Sequence, residues 1–394
     1  MLFLNSPFFS LREFFKQSFA RLLSTIMSAI IFALLFKFLV SDDFVNIQIA
    51  LGFSGLLLWL TDFGLTSQAM IELGNQRYSS GKKFAMYRIG TIAMVAVGLG
   101  LFSCLGTDNS FRAFVVLAMT LDLFTDSLIN LRLTVRNFHS SQYSLVYKKF
   151  AQFLLLMMFL VGTSLNIVNV AISIFLPALL IFLYDYILIA KLLEDESNSG
   201  IGNSIKSWIQ SGGIAVAGLD LWIIGANQPG IIQTISVARK LSSFITIPVQ
   251  SVIPHTVSRS YFDLTLSKHT KAERYALFVV FGLSIFCAIS INPVLDHFFE
   301  KNFSFSEKFL LIFMILVVPI GTLTFLNNLK LLKYGSFRDL SLINWFSSLI
   351  YLTFIVAGKI INQVFLGFVL AIVLKISLEL LGQKSAFKKI ESFE

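Results

Sequence analysis

Apolar runs long enough to cross a bilayer follow one another along almost the whole chain. A spanning helix needs about 20 mostly apolar residues, because each residue advances roughly 1.5 Å through a hydrocarbon core about 30 Å thick. Such runs lie near residues 17–40, 44–66, 86–106, 111–131, 149–166 and 168–190 in the first half. In the second half they lie near 207–227, 231–253, 275–292, 307–329, 341–358 and 362–381. Only helix bundles and closed barrels satisfy every backbone polar group in lipid. Barrel strands would be about ten residues long with alternating polarity, and these runs are longer and unalternating. The chain is 56% hydrophobic and 13% charged, with a mean hydropathy of +0.79. That is too little polar surface for a soluble domain. The expected fold is an all-α integral membrane protein with about twelve transmembrane helices.

Basic residues set the orientation, because short cytoplasmic loops are enriched in Lys and Arg. With the N-terminus inside and sides alternating, inside segments collect most of the 31 basic residues. Arg12, Lys16 and Arg21 begin the series, and Arg77, Lys82, Lys83 and Arg88 follow the second span. Arg132, Arg136, Lys148 and Lys149 fall in the segment before the fifth span. The second half continues with Arg259, Lys268, Lys271 and Arg274, then Lys330, Lys333 and Arg338, and finally Lys384, Lys388 and Lys389. Outside segments hold only Lys37, Arg112, Lys301, Lys308 and Lys359. Both termini are thus expected in the cytoplasm. The net charge of +9 is a topology signal and calls for no nucleic-acid partner.

The polar segment 191–206 (KLLEDESNSGIGNSIK) reads as a cytoplasmic linker between two six-helix bundles, 1–190 and 207–394. With an even number of spans before it, the second bundle enters the membrane in the same direction as the first. That is the arrangement of parallel repeats about an axis along the membrane normal. In each half a long inside loop follows the second span, and another basic loop follows the fourth. Residues 1–20 mix Phe with Arg12, Glu13 and Lys16, which suits a short interfacial helix rather than a cleaved signal. Cys104 and Cys287 are too sparse for a disulfide framework or metal cluster. His139, His255, His269 and His297 show no ligand spacing. No cofactor and no metal is expected.

At the end of the second span stands Trp59-Leu60-Thr61-Asp62-Phe63-Gly64-Leu65, followed by Gln68 and the basic loop from Arg77 to Lys83. The second half opens with Asp220-Leu221-Trp222-Ile223-Ile224-Gly225, then Ser236-Val237-Ala238-Arg239-Lys240-Leu241, then Pro248, Pro254 and Ser258. Both runs resemble helices of O-antigen and related polysaccharide-repeat flippases. These belong to the superfamily of multidrug, oligosaccharidyl-lipid and polysaccharide exporters. Thr234 departs from the aromatic residue many members carry there, and the loops are short for the family. The resemblance implies translocation of an oligosaccharide linked to undecaprenyl diphosphate, from the cytoplasmic to the outer face of a bacterial inner membrane. It would place membrane lipid, a polysaccharide polymerase and chain-length proteins among the partners. Translocation breaks no bond, so no catalytic constellation is expected, and the sequence displays none.

Charges inside spans are the best site candidates, since each costs about 2.5–3.5 kcal/mol at the centre of a helix. Asp122 and Asp126 share one stripe of the fourth span and suit a proton or cation that drives transport; a polar helix face packed on its neighbours is the plain alternative. Asp220 and Arg239 fall at similar depth and suit either an ion pair or substrate contact. Arg239 and Lys240 suit capture of a diphosphate. Asp62 carries the family resemblance, beside a plainer role in anchoring a helix end. Lys375 and Glu379, four apart in the last span, read as a local pair. Gly52, Gly55, Gly212 and Gly213 read as sites of close helix packing.

Two other functions compete with the flippase. One is a multidrug or small-molecule antiporter on the same fold. The other is a membrane glycosyltransferase or polymerase, suggested only by Asp42-Asp43 in a first outside loop of about four residues. A major-facilitator transporter is disfavoured, because the segment 72–84 lacks that family's Gly-x-x-x-Asp-Arg pattern.

Overall fold

The computed structural model describes residues 11–62, 109–134, 138–192, 209, 212–213, 215–225, 228–250, 271–298, 303–333 and 336–391. The expected third span, the linker beyond Leu192, the basic loop after the second span, residues 251–270 of the loop after the eighth, and Cys104 lie outside the described residues.

The described chain is helical, with no strand. The first half contains α1 (Leu11–Phe38), α2 (Ser41–Asp62), α3 (Asn109–Thr134), α4 (Phe138–Gly162) and α5 (Ile167–Leu192). The second contains α6 (Asp220–Ile224), α7 (Pro229–Ile245), α8 (Lys271–Ile289), α9 (Ile291–Phe298), α10 (Phe305–Lys333), α11 (Phe337–Ile360) and α12 (Val364–Glu391). Seven of these helices are long and apolar enough to cross a membrane by length and composition. The protein is therefore an all-α, multi-pass membrane protein of two bundles.

Large apolar side chains point outward, as lipid requires. On α1, Phe19, Leu22, Leu23, Ile26 and Ile30 form an exposed stripe at helical spacing. The opposite face, with Phe32 and Leu35, joins the buried core with Phe44, Ile47, Met119 and Val237. Without a hydrophobic drive between helices in lipid, close contact and hydrogen bonds decide association. Serine and threonine hydroxyls serve this: Thr125 Oγ1 donates to Ala178 O at 3.2 Å, and Ser54 Oγ to Val116 O at 3.1 Å. Glycines permit it where helices touch. A Cβ on Gly358 would lie 2.8 Å from the Gly367 Cα, which explains why α11 and α12 pack so tightly across their outer turn.

The repeat invisible in sequence identity is legible in packing. In the first half the pairs α1–α4, α2–α3, α3–α5, α3–α4 and α4–α5 pack together. In the second half the counterparts are α6–α11, α7–α10, α10–α12, α10–α11 and α11–α12, and all of them pack too. Between halves, α1 meets α7 and α2 meets α6, the two contacts that a twofold axis would exchange; α2 also meets α7.

Three sequence expectations need correcting. α1 runs unbroken from Leu11, so the described part of the expected interfacial helix is continuous with the first span. Asp42 and Asp43 are not loop residues but the first turn of α2, where carboxylates complement the helix dipole. Lys148 and Lys149 lie inside α4 rather than in a loop before it.

Candidate functional site

Between the halves lies a cavity of about 620 Å³, walled by α1 to α5 on one side and by the segment 215–221, α7, α11 and α12 on the other. Two buried electrostatic assemblies face each other across it.

The first is built on α3 and α4. Asp122 is buried, and helical spacing places Asp126 one turn further along. Their position opposite α4 turns Lys148 and Lys149 inward. Lys148 Nζ lies 2.8 Å from Asp122 Oδ1 and 2.5 Å from Asp126 Oδ1, and it also donates to the Asp122 carbonyl at 3.0 Å. Lys149 Nζ lies 3.1 Å from Asp122 Oδ2 and donates to Gln152 Oε1 at 3.0 Å. Gln152 Nε2 donates to Asp122 Oδ1 at 2.6 Å. Two carboxylates and two ammoniums thus balance, and Lys148 is wholly sealed while Lys149 reaches the cavity. Burying such charges is tolerable only with this degree of mutual satisfaction. The stripe expected to carry a coupling ion is therefore occupied by two lysines in this state. Asp122 lines the cavity and Asp126 does not.

The second assembly joins α6, α7 and α11. Asp220 is fully buried, pairs with Arg239, accepts a hydrogen bond from Tyr351 Oη at 2.6 Å and accepts another from the Leu221 N–H at 2.8 Å. The Arg239 side chain stays 42% exposed beside a carboxylate at 0%, so the carboxylate acts as a sealed anchor and the guanidinium as the face offered to the cavity. The two residues read as lying at similar depth are indeed paired. Lys240 has no carboxylate partner among the described residues. It donates to Ser28 Oγ on α1, across the interface between halves, and stands 6.0 Å from the centre of the Phe32 ring.

Lys375 also lines this cavity, 5.1 Å from the centre of the Tyr351 ring. It is not paired with Glu379, contrary to the sequence reading; Glu379 instead accepts from Ser347 Oγ at 3.3 Å. Gly55 lines the cavity with nothing near its Cα hydrogens, whereas Gly52, Gly212 and Gly213 do mark close packing. Asp62 ends α2; its side chain, with Phe63 and Gly64, lies outside the described residues.

Among the described residues the charged lining thus comprises Asp122 and Asp220 against Lys149, Arg239, Lys240 and Lys375, an excess of two positive charges. Sequence reasoning found Asp122, Asp220, Arg239 and Lys240. It missed Lys149, Gln152, Tyr351 and Lys375. A signal for the lysine was present: the apolar run Phe150–Val161 covers only about 18 Å as helix, too short for a core of about 30 Å.

No family model and no curated protein sequence matches the chain. Solved structures do. An outward-facing multidrug resistance MATE family transporter of the MOP superfamily superposes with a TM-score of 0.64 at 12% identity, covering 97% of each chain. An inward-facing structure of a MATE family transporter gives 0.62 at 14% identity, covering 95% of this chain and 96% of the other. A MOP superfamily transporter from Pyrococcus furiosus Vc1 gives 0.59 at 12% identity, covering 96% of both. The chain has the fold of these transporters. That fold is known facing either side of the membrane, and the proteins that share it here are transporters rather than enzymes.

Proposed function

We propose that the protein moves a lipid-linked oligosaccharide diphosphate across the membrane by alternating access, with the sugar and diphosphate in the central cavity and the lipid tail in the bilayer. The observation that carries this reading is the sign of the cavity. The excess of two positive charges among its described lining residues suits an anionic headgroup and repels a cationic drug. Arg239 and Lys240 are adjacent, one anchored by Asp220 and the other held, among the described residues, by a neutral hydroxyl and an aromatic ring. A guanidinium suits bidentate capture of phosphate and an ammonium suits it as a point charge. The resemblance of residues 59–65 and 220–241 to polysaccharide-repeat flippases supports the same substrate class. The Pyrococcus furiosus transporter is described as having a binding pocket of reverse polarity that suggests a different function, so pocket polarity is a ground on which functions within this fold are told apart. Undecaprenyl diphosphate in a bacterial inner membrane is the lipid this reading names.

A second reading has support of its own: similar solved structures are described as multidrug resistance transporters. The deciding experiment is a clean deletion, scored for surface polysaccharide and for the sidedness of lipid-linked repeat units. Repeat units trapped on the cytoplasmic face support flipping. A normal polysaccharide profile with a changed drug-resistance spectrum overturns it in favour of the multidrug reading.

A further inference from the structure

The first helix carries a guanidinium that neither charged assembly uses. Arg21 stands in the first turn of the apolar span Phe19–Phe38. Its Nε is sealed from solvent without a hydrogen-bond partner, the one charged side-chain atom so placed among the described residues. No carboxylate among the described residues supports it. The cations of the two assemblies, by contrast, all meet acceptors. Lys148 has Asp122 and Asp126, Lys149 has Asp122 and Gln152, Arg239 has Asp220, and Lys240 has the Ser28 hydroxyl. A buried charged donor without an acceptor is costly. Such an atom in a native structure calls for an explanation, and an ion or ligand that completes it is one.

The side chain is not on the lipid face. The exposed stripe of α1 runs through Phe19, Leu22, Leu23, Ile26 and Ile30, and helical spacing puts Arg21 on the opposite face with Thr25, Ser28, Phe32 and Leu35. That helix packs on α4 of its own half and on α7 of the other. Thr25 Oγ1 donates to the Arg21 carbonyl at 2.8 Å and leaves the guanidinium unserved. Seven residues and about 10 Å further along the same face, Ser28 holds Lys240 at the wall of the cavity. Arg21 therefore lies between the inner end of α1 and the cavity. The residue is partly exposed, and with Nε sealed its tip is the part left to meet a ligand.

A guanidinium presents paired donors that match the oxygens of a phosphate bidentately. At the cytoplasmic end of a span the anions at hand are lipid headgroups, and basic pockets between helices there take their phosphates. We propose that Arg21 binds the phosphate of a lipid headgroup at the inner end of α1, two helical turns before the cavity. Two sources share that chemistry: the diphosphate of a prenyl-linked substrate, and the phosphate of an anionic phospholipid. The first makes Arg21 an entry site from which the anion passes on to Lys240, and it rests on the function proposed above. The second makes it a seat for membrane lipid and does not.

The test uses the full chain in detergent, with Arg21→Gln, Arg21→Lys and Lys240→Gln beside wild type. Native mass spectrometry follows two ligands in the presence of phosphatidylcholine: the probe farnesyl diphosphate, a prenyl diphosphate without sugar, and phosphatidylglycerol. Arg21→Gln should weaken one or both by about ten- to hundredfold, the span of a charged hydrogen bond. Arg21→Lys, which keeps the charge, should recover part of the loss. Without ligand, Arg21→Gln should melt no earlier than wild type, since no described partner is lost. A loss confined to farnesyl diphosphate assigns the site to the substrate, and one confined to phosphatidylglycerol assigns it to membrane lipid. An Arg21→Gln protein that binds both as wild type does overturns the proposal, and so does a wild type that binds neither. An early-melting Arg21→Gln protein that loses phosphatidylcholine to the same degree also overturns it, because Arg21 would then only prop α1. If Lys240→Gln alone weakens farnesyl diphosphate, the diphosphate reading of the cavity stands and Arg21 is no site. If phosphatidylglycerol binds through Arg21 while farnesyl diphosphate never binds, the site stands and the diphosphate reading falls.

Discussion

Arg239 and Lys240 are neighbours in sequence with different supports, and this separates stability from function residue by residue. Asp220 is the buried hub for Arg239 and Tyr351. Removing it leaves a guanidinium and a phenol without their acceptor, so Asp220→Ala should cost about 3–5 kcal/mol, read as a lowered melting temperature in detergent. Among the described residues Lys240 leans on Ser28 and the Phe32 ring. Lys240→Gln should therefore leave the melting temperature nearly unchanged while weakening diphosphate binding by about 1.5–3 kcal/mol, the worth of a charged hydrogen bond. A Lys240→Gln protein that unfolds early, yet binds the probe normally, would reverse this assignment of roles. The legibility of these residues has one cause: a charge in an apolar run stands out because hydrocarbon makes it expensive. Lys149 was hidden by the same rule that set the topology, since a lysine near a span boundary reads as a loop residue. Lys375 was hidden by Glu379, because four-residue spacing suggests a pair whether or not the two side chains turn towards each other.

Glycines make a comparable contrast between elements. Gly358 and Gly367 are in backbone contact where α11 and α12 diverge from their shared turn, with Asn362 at φ 58° closing it. Gly358→Val should separate the hairpin and cost about 1–3 kcal/mol, as overpacking does. Gly55 lies in α2 beside the cavity with nothing within 4 Å of an added Cβ. Gly55→Ala should be neutral or stabilising by up to about 1 kcal/mol through helix propensity. Melting curves of the two variants decide the matter; equal losses would mean that the hairpin crossing does not govern packing. From sequence, all such glycines looked alike, because what a missing side chain makes room for is a property of the neighbouring helix. The helices themselves were legible, since length and hydropathy are local. Their mutual arrangement was not: the matching pairs α1–α4 with α6–α11, and α3–α5 with α10–α12, have no counterpart in visible sequence identity.

At the scale of the whole molecule, α2 touches the opposite half at three levels among the described residues, beside the contact of α1 with α7. At the start of α2, Ser41 Oγ accepts a hydrogen bond from Gln233 Nε2 at 3.1 Å. Midway, Gly52 lies against Gly218, where an added Cβ would be 2.6 Å from the Gly218 carbonyl oxygen. Near its far end, Trp59 meets Trp345 edge-on at 6.0 Å, with Gly212 wedged against both rings and the Trp345 indole donating to Ile209 O at 2.7 Å. A transporter that opens to each side in turn must break the first contact in one phase and the last in the other, with the middle one as fulcrum. Replacing Ser41 and Gln233 by cysteine, in a chain freed of Cys104 and Cys287, should give a cross-link that stops transport and is released by reductant. Cysteines at Trp59 and Trp345, bridged by a bifunctional thiol reagent long enough to replace the two rings, should trap the opposite phase. Each cross-link should leave the other end accessible to a membrane-impermeant thiol reagent from its own side. Transport at full rate with the Ser41–Gln233 pair locked would show that the halves do not rock about α2, and that substrate passes by a motion within one bundle.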